Sequence, residues 1–288
     1  MTINAFSNPV SGIGIGLRSQ HINKVLKNKP DVPWFEVLID NHLADGGVIP
    51  RQLDEICSNY PITFHSIGMN IGGMDFLDDA YLSRIKQAIR RYQPEWISDH
   101  LCFSCMHGKN LHDLMPLPYN EECLMHVSKR IHQIQDILEC PLVIENVSSY
   151  LSYNDSTMTE AEFVSNLVTE ADCNLLLDVN NIYVNEYNLK ESAINFIEAM
   201  PTERIQEIHL AGFEPCGEYV LDAHNNPVST EVWDLYKICC KFHGAVPTLI
   251  EWDNDLPEFD VLMQEASKAE LIQQNYLMDK VTRKVSCI

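Results

Sequence analysis

The chain has 288 residues, of which 45% are hydrophobic, so it can bury a sizeable core as one barrel or as two domains. Its formal net charge of −21 repels phosphate backbones and anionic lipids, which disfavours nucleic-acid and membrane-surface roles and suits basic peptides or metal cations as partners. The first 16 residues contain no Lys or Arg, and no apolar run approaches the roughly 20 residues of a membrane span, so we expect a cytoplasmic protein without a signal peptide.

Short apolar runs alternate with helical patterns along the first half of the chain. The runs predict four strands: 13–17, 34–38, one that ends at His65 and one that ends at His100. Three helices are predicted: 50–59, which is opened by a proline, 78–92, whose apolar side chains have helical spacing, and roughly 120–139. A polar loop that contains Asp113 lies between the fourth strand and the third helix.

The second half continues the alternation. Four more strands are predicted: one ending at Glu145, one within 174–184 that emerges from the core at Asp178, one ending at His209 and one ending at Glu251. A helix is predicted after each: one opened by the capping box of Thr159 and Glu162, one at 192–200, one from Ser229 or Thr230 to His243, and one from about Glu258 into a frayed tail.

Eight strands that alternate with helices predict a single α/β domain over residues 1–288, a closed (β/α)8 TIM-like barrel with 275–288 as a peripheral tail. An open doubly wound sheet would need fewer strands and a glycine-rich phosphate turn after the first one. Gly12, Gly14 and Gly16 fall within the first predicted strand instead. The pattern therefore favours the barrel.

Residue types that bind metals recur where the predicted strands end. The carboxyl ends of barrel strands meet at one mouth, so we expect these side chains to converge. Six of them end different strands: His65, His100, Glu145, Asp178, His209 and Glu251. Asp222 and His224 can fold over the same mouth from the loop after the seventh strand, and Asn181 adds a neutral oxygen.

This donor set is too large for one ion. Zinc takes three or four ligands, and a facial-triad iron takes two His and one carboxylate. Several carboxylates without cations would repel one another strongly. The set therefore predicts two or three divalent ions. Ligation by His and carboxylate without thiolate favours iron or manganese over structural zinc, although affinity alone does not exclude zinc. Any one of these residues alone could be an ordinary cap or loop residue, and their repetition favours a site.

Other residues were considered for roles beside the metal ligands. Asn180, Tyr183 and His21 are candidates to orient the ligands. The ten cysteines are expected to be reduced, and the CxxC motif of Cys102 and Cys105 is interpreted as two ordinary loop thiols.

Several segments resemble those of one known family, over residues 12–269. They include Ser-Asp-His-Leu at 98–101, Asp-Leu-Met-Pro-Leu-Pro-Tyr at 113–119, Leu-Leu-Asp-Val-Asn-Asn at 176–181, Glu-Ile-His-Leu-Ala-Gly at 207–212 and Pro-Thr-Leu-Ile-Glu-Trp-Asp at 247–253. On these motifs the chain is identified as a member of the DUF692 (UPF0276) family, the multinuclear non-heme iron-dependent oxidative enzymes.

The resemblance implies a barrel related to xylose isomerase and endonuclease IV. It also implies two or three irons, with a mixed-valent Fe(II)/Fe(III) pair as the active form, and O2 as co-substrate. The substrate would be a Cys-containing ribosomally synthesised precursor peptide, delivered by a partner protein encoded nearby. Carried over by motif, the metal ligands would be His65, His100, Glu145, Asp178, Asn181, His209, Asp222, His224 and Glu251. Of these, four are also assigned to catalysis: His65, His100, Asp178 and His209.

The chain departs from the usual family pattern beside the ligands. Asp40-Asn41 stands where a Glu-Asn pair is usual, the loop 66–73 lacks the common Gly-Leu-Ser-Leu-Gly, and Phe213 replaces a frequent His. These departures bear on the substrate rather than on the metals. Two other functions stay open: a divalent-metal hydrolase or isomerase of the endonuclease IV or xylose isomerase type, and a non-catalytic metal- or peptide-binding protein.

Overall fold

Eight parallel strands close into a barrel whose helices lie outside it. The computed structural model describes residues 10–44 and 46–286. Its strands and α-helices follow in chain order: β1 (Ile13–Leu17), α1 (Ser19–Asn28), β2 (Phe35–Leu38), α2 (Val48–Cys57), β3 (Ile62–Ser66), α3 (Asp79–Tyr92), β4 (Ile97–His100), β5 (Phe103–Met106), β6 (Lys109–Met115), α4 (Glu121–Leu138), β7 (Leu142–Glu145), α5 (Glu160–Glu170), β8 (Asn174–Asp178), α6 (Val179–Leu189), α7 (Ala193–Ala199), β9 (Ile205–Leu210), β10 (Glu214–Pro215), β11 (Val220–Leu221), α8 (Thr230–His243), β12 (Thr248–Ile250) and α9 (Phe259–Ser286).

The barrel strands pair in the order β1-β2-β3-β4-β7-β8-β9-β12, and β12 closes against β1. Each of these pairings is parallel. Leu175, Leu176 and Leu177 of β8 are fully buried, because the barrel interior covers one face of the strand and the helices cover the other. The closed α/β barrel predicted from the sequence is confirmed.

Strand register places candidate ligands side by side. His100 at the end of β4 is in register with Glu145 at the end of β7. Asp178 of β8 is in register with His209 of β9. Since neighbouring strands lie about 5 Å apart, residues in register at their carboxyl ends bring their side chains to one level of the barrel.

Helix starts follow local capping signals. Thr159 and Glu162 form the predicted capping box of α5: the Thr159 N–H donates to Glu162 Oε2 at 2.8 Å, and the Glu162 N–H donates to Thr159 Oγ1 at 3.2 Å. Asp178 caps α6, because its Oδ1 accepts from the Asn181 N–H at 2.5 Å. The same aspartate therefore ends β8 and begins a helix.

Some elements differ from the prediction. Neither α1 nor α6 was predicted. The polar loop that contains Asp113 forms the hairpin β5–β6, and the loop after the seventh predicted strand forms the hairpin β10–β11. Helix α9 continues through Ser286, where a frayed tail was expected, and residues 287 and 288 of that tail lie outside the described residues. Among the described residues, no helix combines the length and apolar character needed to cross a membrane.

Candidate metal centre

A cavity of about 1520 Å³ opens where the barrel strands end. Its lining includes seven of the nine predicted ligands: His65, His100, Glu145, Asn181, Asp222, His224 and Glu251. The other two, Asp178 and His209, are fully buried and lie close to Glu145 and Glu251. The structure thus brings the whole predicted ligand set to one place.

The first donor cluster lies at the ends of β3, β4 and β7. His65 Nε2, His100 Nε2 and Glu145 Oε2 are each 3.3 Å from the other two atoms. Ser98 Oγ lies 2.7 Å from His65 Nδ1, which fixes the ring so that Nε2 faces the other donors. Three donor atoms therefore converge on one point.

The second cluster is formed by Glu145, Asp178, His209 and Glu251, whose donor atoms all lie within 4.8 Å of one another. His209 Nδ1 is 2.9 Å from Glu251 Oε2 and 3.9 Å from Glu145 Oε1. None of the four residues is more than 4% exposed, so water cannot solvate three carboxylates here.

The third cluster combines His224, Glu251 and Asp253. His224 Nδ1 is 3.0 Å from Asp253 Oδ2 and 3.4 Å from Glu251 Oε2, and its Nε2 is 2.6 Å from Asp222 Oδ1. Glu145 therefore belongs to the first two clusters, and Glu251 belongs to the last two.

Side chains from two other segments hold Asp222, which lies in the loop between β9 and α8. Ser148 Oγ donates to Asp222 Oδ2 at 3.1 Å, and Asn180 Nδ2 donates to Asp222 Oδ1 at 2.8 Å. Asn180 thus contacts a candidate ligand, as predicted. A Cβ on Gly212 would lie 2.2 Å from the carbonyl oxygen of Asn226, so the loop closes on itself where only glycine fits.

Buried polar atoms at the centre fit a metal site. Among the described residues, Asp178 Oδ2 and Asn181 Oδ1 are buried and accept no hydrogen bond. An unmatched buried acceptor costs about 1–3 kcal/mol, and a bound cation removes that cost. The donor set of imidazoles, carboxylates and one amide oxygen therefore fits a polynuclear site of divalent ions.

Electrostatics at the centre also favour cations. Burial raises the pKa of Asp178 to about 7, and it raises the pKa of Glu145 well above its usual range. Burial lowers the pKa of His65 well below its usual value, and His100 lowers it further. Burial also lowers the pKa of His100, but Glu145 and Asp99 outweigh this effect and raise it to about 9. Without metal, protons partly neutralise the carboxylates, and metal ions would replace them.

Two carboxylates that sequence reasoning did not select contact His209 inside the barrel. Glu36 Oε2 lies 3.1 Å from His209 Nε2, and Glu207 Oε1 lies 3.5 Å from the same nitrogen. Trp96 Nε1 donates to Glu207 Oε2 at 2.6 Å. A charged residue in the middle of an apolar strand was the signal that could have identified both. Because Nε2 faces Glu36, the Nδ1 of His209 is the nitrogen directed at the second cluster.

Arg18 and Asp253 were not selected as site residues from the sequence. Arg18 Nε donates to Asp253 Oδ1 at 3.0 Å, and its Nη2 lies 3.5 Å from Glu251 Oε1. This guanidinium is 11% exposed and offsets part of the negative charge around the third cluster.

Two of the three predicted orienting residues lie elsewhere. His21 Nε2 is 2.9 Å from the carbonyl oxygen of Pro257, so it ties α1 to the segment before α9 instead of to a ligand. The Tyr183 ring stacks on Phe213, with 5.0 Å between centroids. Asn180 alone of the three contacts a predicted ligand.

The two CxxC thiols lie just past the end of β4. Cys102 is buried and Cys105 is half-buried, and both are free. Burial raises the pKa of Cys102 well above its usual value, which favours its protonated form.

Replacing Glu36 with Leu is expected to weaken metal binding by about 10- to 100-fold, the usual cost of losing the partner of a ligand imidazole. Glu36→Gln keeps an acceptor for His209 Nε2–H and should lose much less. Competition with a chelator, followed through the visible spectrum of bound Co(II), measures the affinity. Glu265→Leu is the control, because Glu265 is equally buried but lies on α9. An unchanged Co(II) affinity in folded Glu36→Leu would contradict the orienting role.

Comparisons with known proteins agree with the geometry. A family profile described as "RiPP precursor modification enzyme MbnB/TglH/ChrH" matches residues 12–274. The chain is 45% identical over 261 residues to a UPF0276 protein of Acaryochloris marina, covering 91% of this chain and 94% of that protein. It is 40% identical over 269 residues to a UPF0276 protein of Anaeromyxobacter sp., covering 93% and 95%.

Solved structures share the barrel. Endonuclease IV from Thermus thermophilus superposes with a TM-score of 0.59 at 14% identity, covering 93% of this chain and 99% of that one. An L-ribulose 3-epimerase gives 0.60 at 11% identity, covering 96% and 97%. At these identities the likeness shows the fold alone. The profile match and the identities to curated relatives carry the family assignment: the chain belongs to the MbnB/TglH/ChrH family of RiPP precursor modification enzymes, the UPF0276 family indicated by its motifs.

Proposed function

We propose that this protein is a multinuclear non-heme iron oxygenase or oxidase that uses O2 to modify cysteine residues of a ribosomally synthesised precursor peptide. The observation that carries the proposal is the chain of three donor clusters that share Glu145 and Glu251 beside an open cavity. Family membership supports a precursor peptide as the substrate. A cytoplasmic location and a nearby-encoded partner protein that delivers the peptide are part of the same proposal.

The nine predicted ligands would hold two or three iron ions: His65, His100, Glu145, Asp178, Asn181, His209, Asp222, His224 and Glu251. Iron would supply the redox chemistry with O2, a mixed-valent Fe(II)/Fe(III) pair being the active form. Imidazole and carboxylate donors without thiolate suit iron better than a structural zinc.

The clusters differ in how open they are to the cavity. His100 in the first cluster and His224 in the third are half-buried, whereas Asp178 and His209 in the second are fully buried. A substrate would therefore reach the first and third clusters, and the second would be closed to it. Of the four residues assigned to catalysis, His65 and His100 would lie beside the substrate, while Asp178 and His209 would hold the centre together.

The test is anaerobic purification after expression with iron, followed by exposure to O2 with Cys-containing peptides encoded beside the gene. We expect at least two irons per chain, the EPR signal of a coupled mixed-valent pair after partial oxidation, and an O2-dependent mass change located on cysteine. The zinc-loaded protein is the control and should leave the peptide unchanged. A protein that holds only zinc and gains no activity on iron reconstitution would rule the proposal out.

A further inference from the structure

The cavity lining includes exposed apolar side chains. Ile49 on α2, Ile67 after β3 and Phe76 before α3 all line the cavity and are 45%, 44% and 101% exposed. We call these three residues the apolar rim. A fully exposed phenylalanine beside a functional cavity is typical of a contact surface, because aromatic side chains are enriched where proteins bind partners.

The cavity lining is also acidic. Four aspartates line the same cavity as the apolar rim: Asp40, Asp75, Asp78 and Asp113. Asp75 directly precedes Phe76 in the chain. Asp75 Oδ2 accepts from the Gly108 N–H at 2.9 Å, which ties the β5–β6 hairpin, and with it Asp113, to the apolar rim. None of these four aspartates belongs to a donor cluster, so metal ions would leave their charge uncompensated.

Within the described cavity lining, acidic side chains outnumber those of Lys and Arg. Among the described residues that line the cavity, the Lys and Arg side chains are Arg18 and Arg130. Arg18 is engaged by Asp253 and Glu251. The Arg130 guanidinium donates to the carbonyl oxygens of residues 70, 71 and 75 at 3.0, 2.9 and 2.7 Å. These carboxylates therefore favour a partner that carries positive charge.

We propose that the apolar rim and its aspartates are the docking surface for the substrate peptide, which binds through one apolar side chain and neighbouring basic residues. This inference rests on the proposed function insofar as the substrate is a peptide. The apolar side chain packs on Phe76, Ile67 and Ile49, and the basic residues face the aspartates. Ile67 follows His65 by two residues, so a peptide held here places its neighbouring residue at the first donor cluster.

The experiment measures binding of short fluorescein-labelled Gly/Ser peptides to the iron-loaded protein without O2, by fluorescence anisotropy. The reference peptide carries one Cys, one Phe and two Lys; matched peptides replace Phe with Ser or Lys with Glu. Phe76→Ser should weaken binding of the reference peptide by about 10- to 100-fold. The Asp78→Asn, Asp113→Asn double variant should slow association of the peptide with the protein and reduce the salt dependence of that rate. The reason is that charges at the edge of a binding surface mainly affect the rate at which the partners meet. Asn at 78 retains the N-cap of α3.

Phe242→Ser is the matched control, because Phe242 is 40% exposed in the last turn of α8, at the opposite end of the barrel. It should leave binding unchanged, and equal iron content in every variant shows that the fold is intact. The proposal is overturned if the Ser or Glu peptides bind as tightly as the reference, or if Phe76→Ser binds normally. A concentration-dependent dimer that Phe76→Ser abolishes would also overturn it, by assigning the surface to a second copy of the chain.

The two proposals fail separately. Rim-dependent binding of a peptide that O2 never alters would leave the docking surface standing and remove the proposed chemistry. Oxidation of a peptide whose affinity is unchanged by substitution of Phe76 and the aspartates would support the proposed chemistry and remove the docking surface.

Discussion

Replacing His209 or Glu145 with Ala is expected to remove most of the bound metal and abolish turnover while the barrel stays folded. His209 supplies Nδ1 to the second cluster, and Glu145 supplies oxygens to the first and second. Loss of a direct ligand should lower the metal affinity by more than the roughly 10- to 100-fold decrease that follows loss of a residue hydrogen-bonded to a ligand. Glu145→Ala should release more metal than His209→Ala, because it damages two clusters. Elemental analysis and circular dichroism of the purified variants measure both expectations.

The matched control is a histidine that lies away from the mouth. His132→Ala on α4 serves, since its exposed ring contacts only the carbonyl oxygen of Glu170, at 3.2 Å, among the hydrogen bonds described. His126 is less suitable, because its Nε2 lies 2.9 Å from the carbonyl oxygen of Gly73 in the loop after β3. Full metal content in His209→Ala together with metal loss in His132→Ala would refute the strand-end assignment.

The metal-free protein is expected to lose stability as the pH rises from about 5 to 9. Glu36 and Asp178 have pKa values raised to about 7 by burial, so the stability they contribute is fully present below their ordinary pKa and is lost as the pH rises from there to about 7. The pKa of His100 is raised to about 9 because Glu145 outweighs its burial, and its contribution is lost as the pH rises through 9. His65, whose pKa is lowered, opposes this trend only below about 6.5.

Each shift corresponds to a few kcal/mol, at about 1.4 kcal/mol per pH unit, so the melting temperature should fall by about 5–10 °C across this range. Bound metal requires deprotonated ligands, and the metal-loaded protein should therefore gain stability relative to the metal-free form as the pH rises. Calorimetry of chelator-treated and iron-loaded protein at pH 5.5, 6.5, 7.5 and 8.5 tests this. Asp178→Asn should flatten the metal-free curve below about pH 7, and a metal-free melting temperature that rises with pH would contradict the account.

The predictable part of the site follows from barrel geometry. His65, His100, Glu145 and His209 stand at strand ends, and parallel strands bring those ends to one mouth whatever the loops do. The strands themselves were also predictable, because a strand buried on both faces is a continuous run of apolar residues without alternating polar ones, as in Leu175 to Leu177.

The unpredicted part depends on facts that a linear pattern does not carry. Glu36 and Glu207 sit within strands, and only the register of the closed barrel decides that both side chains point inward to His209. The sequence predicts Asp178 as the end of a strand. Its second role, capping the N-terminus of α6, depends on the position of the Asn181 N–H in the folded chain. The exposure of Phe76 likewise depends on which loop segments cover it.

If metal ions occupy all three clusters, the sharing of Glu145 and Glu251 would make the three positions a set of linked equilibria. An ion at the middle cluster would change the charge and orientation of both shared carboxylates, so it would alter the affinity of each outer cluster. By thermodynamic reciprocity, an ion at either outer position alters the affinity of the middle one by the same factor. The outer clusters have no donor in common and would be coupled through the middle one, so the two or three ions are expected to bind in dependent steps.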